Sequence, residues 1–167
     1  MRFMLMVPPV ACRSCRAGFV SGAVVPHEVQ VETPSTSLYE HVGGAPFFHQ
    51  LVDAFYEGVA IDPVLLPLYP EQPDLTGARH RLTLFLIQYW GGPTTYNDER
   101  GHPKLRLRHM PFHLGPVERD RWLHHMTAAI DAVNDDPDVR RILLEYFVPA
   151  AEHLRNDTGL PIGSPRT

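Results

Sequence analysis

The sequence predicts an all-α fold, on three observations. From Ser37 onward apolar residues recur at helical spacing in one segment after another, and Gly and Pro clusters separate those segments. No stretch from there on alternates with the period of two that a half-buried strand requires. Residues 1–36 show no sustained period and end in the turn-forming Thr33-Pro34-Ser35-Thr36. The helical domain is therefore expected over 37–155, with 1–36 a poorly ordered extension and 156–167 a tail.

The first long helix follows Gly43-Gly44, with Pro46 suited to its first turn. Phe47, Phe48, Leu51, Val52, Phe55, Tyr56 and Val59 share one broad face. Asp62-Pro63 breaks it, and a short apolar turn, 64–69, follows. The next helix is expected over about 74–90, with Leu75, Ala78, Leu82, Phe85, Leu86 and Tyr89 inward, and stops at Gly91-Gly92-Pro93. Residues 93–104, rich in Gly, Pro, Asn and Asp, read as an extended loop. A short basic helix ends at His109, just before Pro111. The fourth helix starts near Pro116 with Glu118 in its first turn and turns Trp122, Leu123, Met126, Ala129, Ile130 and Val133 inward. The last starts at Asp136-Pro137 and carries Val139, Ile142, Leu143, Tyr146, Phe147 and Ala150. Pro149 is expected to kink or end it, because proline removes a backbone donor and clashes one turn back.

With 167 residues the chain can bury one proper core. Its formal net charge of −4, from 15 Lys+Arg against 19 Asp+Glu, gives no electrostatic case for nucleic acid. No apolar run approaches the ~20 residues that cross a bilayer. The run after Arg2 is cut by Pro8-Pro9, short of a signal-peptide core, so the chain reads as cytoplasmic. Cys12 and Cys15 form a C-x-x-C pair, but Arg16 stands where covalent haem attachment needs His, and the pair reads as incidental.

Three features point to chemistry. His109 lies between Arg106, Arg108 and Met110-Pro111, and a neutral imidazole is the commonest metal ligand and a usual axial ligand of haem. Tyr56, Tyr69 and Trp122 put polar aromatics on apolar helices, where core packing would also place them. The long segment 91–104 is one that a compact helical bundle rarely tolerates unless it wraps something. His102, His113, His124 and His125 read as structural or surface residues. His109 and His113 are four apart, but Pro111 interrupts the shared face a zinc pair would need.

Longer motifs narrow these readings: Leu38-Tyr39-Glu40-His41-Val42-Gly43-Gly44, Phe55-Tyr56, Tyr69-Pro70-Glu71, Gln88-Tyr89-Trp90-Gly91-Gly92-Pro93, Arg100-Gly101-His102-Pro103, Leu107-Arg108-His109-Met110-Pro111-Phe112 and Glu118-Arg119-Asp120-Arg121-Trp122-Leu123. In unbroken order they resemble the truncated haemoglobins, and within them the group II (O-type) branch. The resemblance implies a two-over-two helical sandwich around a b-type haem (iron protoporphyrin IX), with His109 as the iron's proximal ligand. It implies Tyr56, Tyr69 and Trp122 on the ligand side, and Ala78 where larger globins carry a distal histidine. Leu82 and Phe85 follow along the haem face, and Met126 lies one turn beyond Trp122. Arg106, Arg108 or Lys104 could pair with the haem propionates.

Phenol and indole groups donate hydrogen bonds without ionising near neutral pH, so the three donors imply tight dioxygen binding. That argues against transport and favours NO dioxygenation or peroxide chemistry with a reductase. Storage or sensing without turnover is the milder alternative. O2, NO, CO and peroxide are the expected ligands, and a homodimer is entertained. Two readings outside the globins remain at this point: a zinc-dependent enzyme built on the histidines, and a cofactor-free helical interaction module.

Overall fold

The computed structural model describes residues 36–157; Cys12, Cys15 and most of the two terminal segments lie outside the described residues. Among the described residues the regular structure is helical throughout: α1 Leu38–His41, α2 Ala45–Ala60, α3 Thr76–Tyr89, α4 Thr95–Arg100, α5 Leu105–His109, α6 Pro116–Val133 and α7 Pro137–Leu154, with a 3-10 turn at Leu66–Leu68. None of these helices is long and apolar enough to cross a membrane.

The four long helices form two pairs, α2 with α3 and α6 with α7, joined by the packing of α2 on α6. The sequence dictates that arrangement through α2, whose seven expected apolar residues are all buried. Phe48, Leu51, Val52, Phe55 and Val59 are wholly inaccessible, and Met126, Ile130 and Leu143 meet them from the other pair. At Gly58 the two pairs come so close that a β-carbon would stand 2.3 Å from the His125 ring. Any larger residue there would force α2 and α6 apart.

Helix starts follow their local chemistry. Pro46, Pro116 and Pro137 sit in first turns, where a missing N–H costs nothing. The Glu118 carboxylate accepts from the Gly115 N–H, and Asp136 accepts from the Asp138 N–H. The unexpected α1 is one turn fixed by a capping box, Ser37 and Glu40 each accepting the other's backbone N–H. Gly91 takes φ +100°, which ends α3 and brings the Trp90 carbonyl to the Tyr39 N–H at 3.1 Å.

Two expectations are corrected. Residues 93–104 are not an extended loop, because α4 occupies Thr95–Arg100. Polar composition hid a helix that tertiary contacts hold: Tyr96 is buried with its ring 5.7 Å from Phe85, and the Asn97 N–H donates to the Gln88 side chain at 2.9 Å. Nor does Pro149 end α7, which continues to Leu154. Pro149 and its neighbour Val148 lie on the exposed side, so water can satisfy the carbonyl that proline leaves without a donor. Val139, Leu143 and Phe147 meanwhile fasten the other face.

Candidate haem pocket

A cavity of about 610 Å³ opens between the turn after α2, helix α3 and the segment α5–α7. That is within the size range of small-molecule and cofactor sites. Its walls are mainly apolar, and the polar groups that reach it fall into three sets.

The first is His109, the last residue of α5. Its Nδ1 lies 2.7 Å from the Leu105 carbonyl oxygen, one turn back. A carbonyl only accepts, so Nδ1 carries the proton, and in the neutral ring Nε2 is left with a lone pair. A five-residue helix would not hold that ring alone. Arg108 Nε donates to the Pro103 carbonyl and its Nη2 to that of Arg100, while the Asn156 amide donates to the carbonyls of His109 and Phe112. Asn156 was assigned to the tail, and no local pattern signals that it ties α5 to the end of α7.

The second set is Tyr56, Tyr69 and Trp122, which line the same cavity. Tyr56 and Tyr69 meet edge to face at 5.6 Å, Phe55 touches Tyr56 at 5.0 Å, and Trp122 lies 5.2 Å from Phe55. The wholly buried Phe55 thus spaces the indole from the phenols. Burial pushes the Tyr56 hydroxyl well above the ordinary phenol range, helped by the neighbouring Tyr69, and burial raises Tyr69 as well. Both phenols therefore keep their protons. The Arg79 guanidinium covers the Tyr56 ring at 5.5 Å and is anchored to Asp53. Ala78, Leu82 and Phe85 line the same cavity from α3.

The third set is a cationic rim: Arg81, Arg100, Arg108, Arg119 and Arg155. Arg81 is paired with Glu71, and Arg119 and Arg155 with Glu152. Arg108 bonds only carbonyls, and among the described residues Arg100 has no carboxylate partner. Arg155 Nε is buried without an acceptor among the described residues. A cavity with apolar walls, one imidazole lone pair and under-used guanidinium donors fits a flat apolar macrocycle with an anionic edge.

Three expected residues, Met126, Arg106 and Lys104, do not line the cavity. Met126 is fully buried in the core and does not line the cavity. Helical spacing put it on the right face of α6, but a face does not say which part opens onto a cavity. Arg106 points off the rim and donates to the His153 carbonyl at 3.1 Å. Arg100, Arg119 and Arg155 take rim positions that sequence spacing could not assign. No cluster of three or more His, Cys, Asp or Glu is found among the described residues, so the zinc reading has no ligand set there.

Behind the Tyr69 turn, Asp62 is buried and accepts from the Val64 and Leu65 N–H groups and from His125 Nε2, the last at 2.8 Å. Burial opposes its charge, but these bonds outweigh it and hold the carboxyl down at about 2. The pair fastens the turn carrying Tyr69 to the helix carrying Trp122.

Comparison with known proteins agrees with this geometry. The model of the "Bacterial-like globin" family matches residues 37–156. The chain belongs to that family. It is a truncated haemoglobin of group II. The "Group 2 truncated hemoglobin YjbI" of Bacillus subtilis is 42% identical over 120 residues, 72% of this chain and 89% of that protein. The thermostable haemoglobin of Thermobifida fusca is 54% identical at a TM-score of 0.70, covering 72% of this chain and 98% of its own. The structure described as a truncated oxygen-avid haemoglobin from Bacillus subtilis has 40% identity and a TM-score of 0.68, over 72% and 100%. The two helix pairs are thus the two-on-two globin sandwich, and this globin binds haem and small gaseous ligands such as O2.

Proposed function

We propose that this globin holds b-type haem on His109 and binds dioxygen tightly, to oxidise NO to nitrate or to reduce peroxide with electrons from a reductase in the cytoplasm. The observation that carries the reading is the His109–Leu105 bond, which leaves one imidazole lone pair in a cavity that three neutral donors also line. Bound haem would supply the iron at which dioxygen is held. Tyr56, Tyr69 and Trp122 would donate to that ligand from a dry wall, and Arg100, Arg108 and Arg155 would hold the propionates. Ala78 leaves the wall low where a larger side chain would close it.

Bonds to an ionised acceptor contribute about 1.5–3 kcal/mol each, roughly ten- to a hundredfold in a dissociation rate. Tyr56→Phe and Trp122→Phe should each speed oxygen dissociation within that range, measured by mixing the oxygenated protein with CO. Unchanged rates in both variants would remove these residues from the ligand's surroundings. A single mix of the oxygenated protein with NO, followed for nitrate, tests the dioxygenase half; recovery of unreacted NO would exclude it.

A further inference from the structure

The reading above leaves an aromatic cluster unused. Tyr146 on α7 lines the haem cavity, and its ring lies 4.1 Å from that of Tyr89 at an interplanar angle of 32°. Tyr89, which periodicity placed inward, is 38% exposed at the end of α3. We propose that this close, tilted pair conducts single electrons between the protein surface and the haem cavity, making Tyr89 a surface site at which phenolic donors are oxidised without entering the cavity. The proposal rests on the haem reading.

The surroundings single out Tyr89 as the outer end. Trp90 stands 5.1 Å from Tyr89 and 5.5 Å from Tyr146, but its indole N–H is buried with no acceptor among the described residues. With only 8% of its surface exposed, Trp90 is not open to an external donor as Tyr89 is. An oxidised phenol at Tyr89 can release its proton to water. Phe85 flanks Tyr89 at 5.9 Å and adds packing but no oxidisable group.

The reaction balances with hydrogen peroxide as oxidant. Reducing one peroxide to two waters takes up two electrons and two protons, chemistry that the haem supplies. Tyr89 gives one electron inward through Tyr146 and one proton to water, becoming a phenoxyl radical. An external phenol then restores it by giving up an electron and a proton, and leaves as its own phenoxyl radical. Two such cycles complete the reduction of one peroxide.

The test treats the haem-loaded protein with hydrogen peroxide and a nitroso spin trap, and maps the trapped radical by peptide mass spectrometry. Guaiacol oxidation is followed in parallel. Wild type should carry the label on Tyr89. Tyr146→Phe should lose it although Tyr89 is still present, and Tyr146→Trp, which restores an oxidisable ring, should recover it. Tyr89→Phe should lose guaiacol turnover while keeping the aromatic packing. A label on Tyr89 that survives Tyr146→Phe, or one confined to Tyr56 and Tyr69, would overturn the relay. The Soret band is read separately: a normal band with Tyr89 unlabelled refutes the relay alone, whereas a colourless wild type refutes the haem reading beneath it.

Discussion

His109 and the two cavity tyrosines work through protons that stay where they are. The Leu105 carbonyl keeps the His109 proton on Nδ1, and burial keeps Tyr56 and Tyr69 protonated far into the alkaline range. Because both phenol values are raised, the donating form persists as pH rises. Oxygen dissociation from the haem-loaded protein should therefore stay flat from about pH 8 to pH 10.5, through the range where unperturbed phenols ionise. A rate that climbs with pH in that window would mean that a titrating group holds the ligand. The motifs around His109, Tyr56, Tyr69 and Trp122 singled out four residues that the structure brings to one cavity. Met126 was misplaced because spacing reports the core-facing side of a helix, not the part of that side that borders empty space. Arg106 was misplaced because nearness to His109 in sequence does not say where a guanidinium bonds.

Single elements owe their placement to a few polar ties. Helix α5 is short, exposed on most of its residues, and fixed at its end by Asn156, which bonds two carbonyls and accepts from the Leu114 N–H. Asn156→Ala should cost about 0.5–1.5 kcal/mol of stability through the lost bonds and weaken haem retention, as read by haem transfer to apomyoglobin. Retention equal to wild type would leave α5 positioned by other means. The turn carrying Tyr69 depends likewise on Asp62. Its folded value of about 2 lies below the ordinary carboxyl value, so the stability it contributes is present above about pH 4 and is lost as pH falls towards 2. Asp62→Asn should lower stability by about 2 kcal/mol at neutral pH and flatten the acid limb of denaturation. An unchanged acid limb would assign that limb to other carboxylates. The sequence signalled α2, α6 and α7 because their apolar faces repeat for several turns. It did not signal α4, whose stability comes from Tyr96 packing on Phe85, nor the passage of α7 through Pro149, which works because that proline faces water.

Across the whole molecule, one helix, α2, packs on both α3 and α6, so the two pairs converge on a single core while a cavity remains beside it. The general architecture could be read from apolar periodicity and Gly-Pro punctuation. The cavity could not, because an unfilled volume leaves no residue of its own in the sequence; only the resemblance to a known family anticipated it. A ligand that binds the folded state adds stability by mass action, so loading haem should raise the melting temperature with haem concentration. The most direct test of the account is the absorption spectrum of purified wild type beside His109→Ala. The wild type should show an intense Soret band with bound haem, and the variant should lose the band or shift it, returning towards wild type when imidazole is added to fill the vacated position. A colourless wild type, or a variant whose spectrum matches it, would contradict the claim that His109 holds the haem iron.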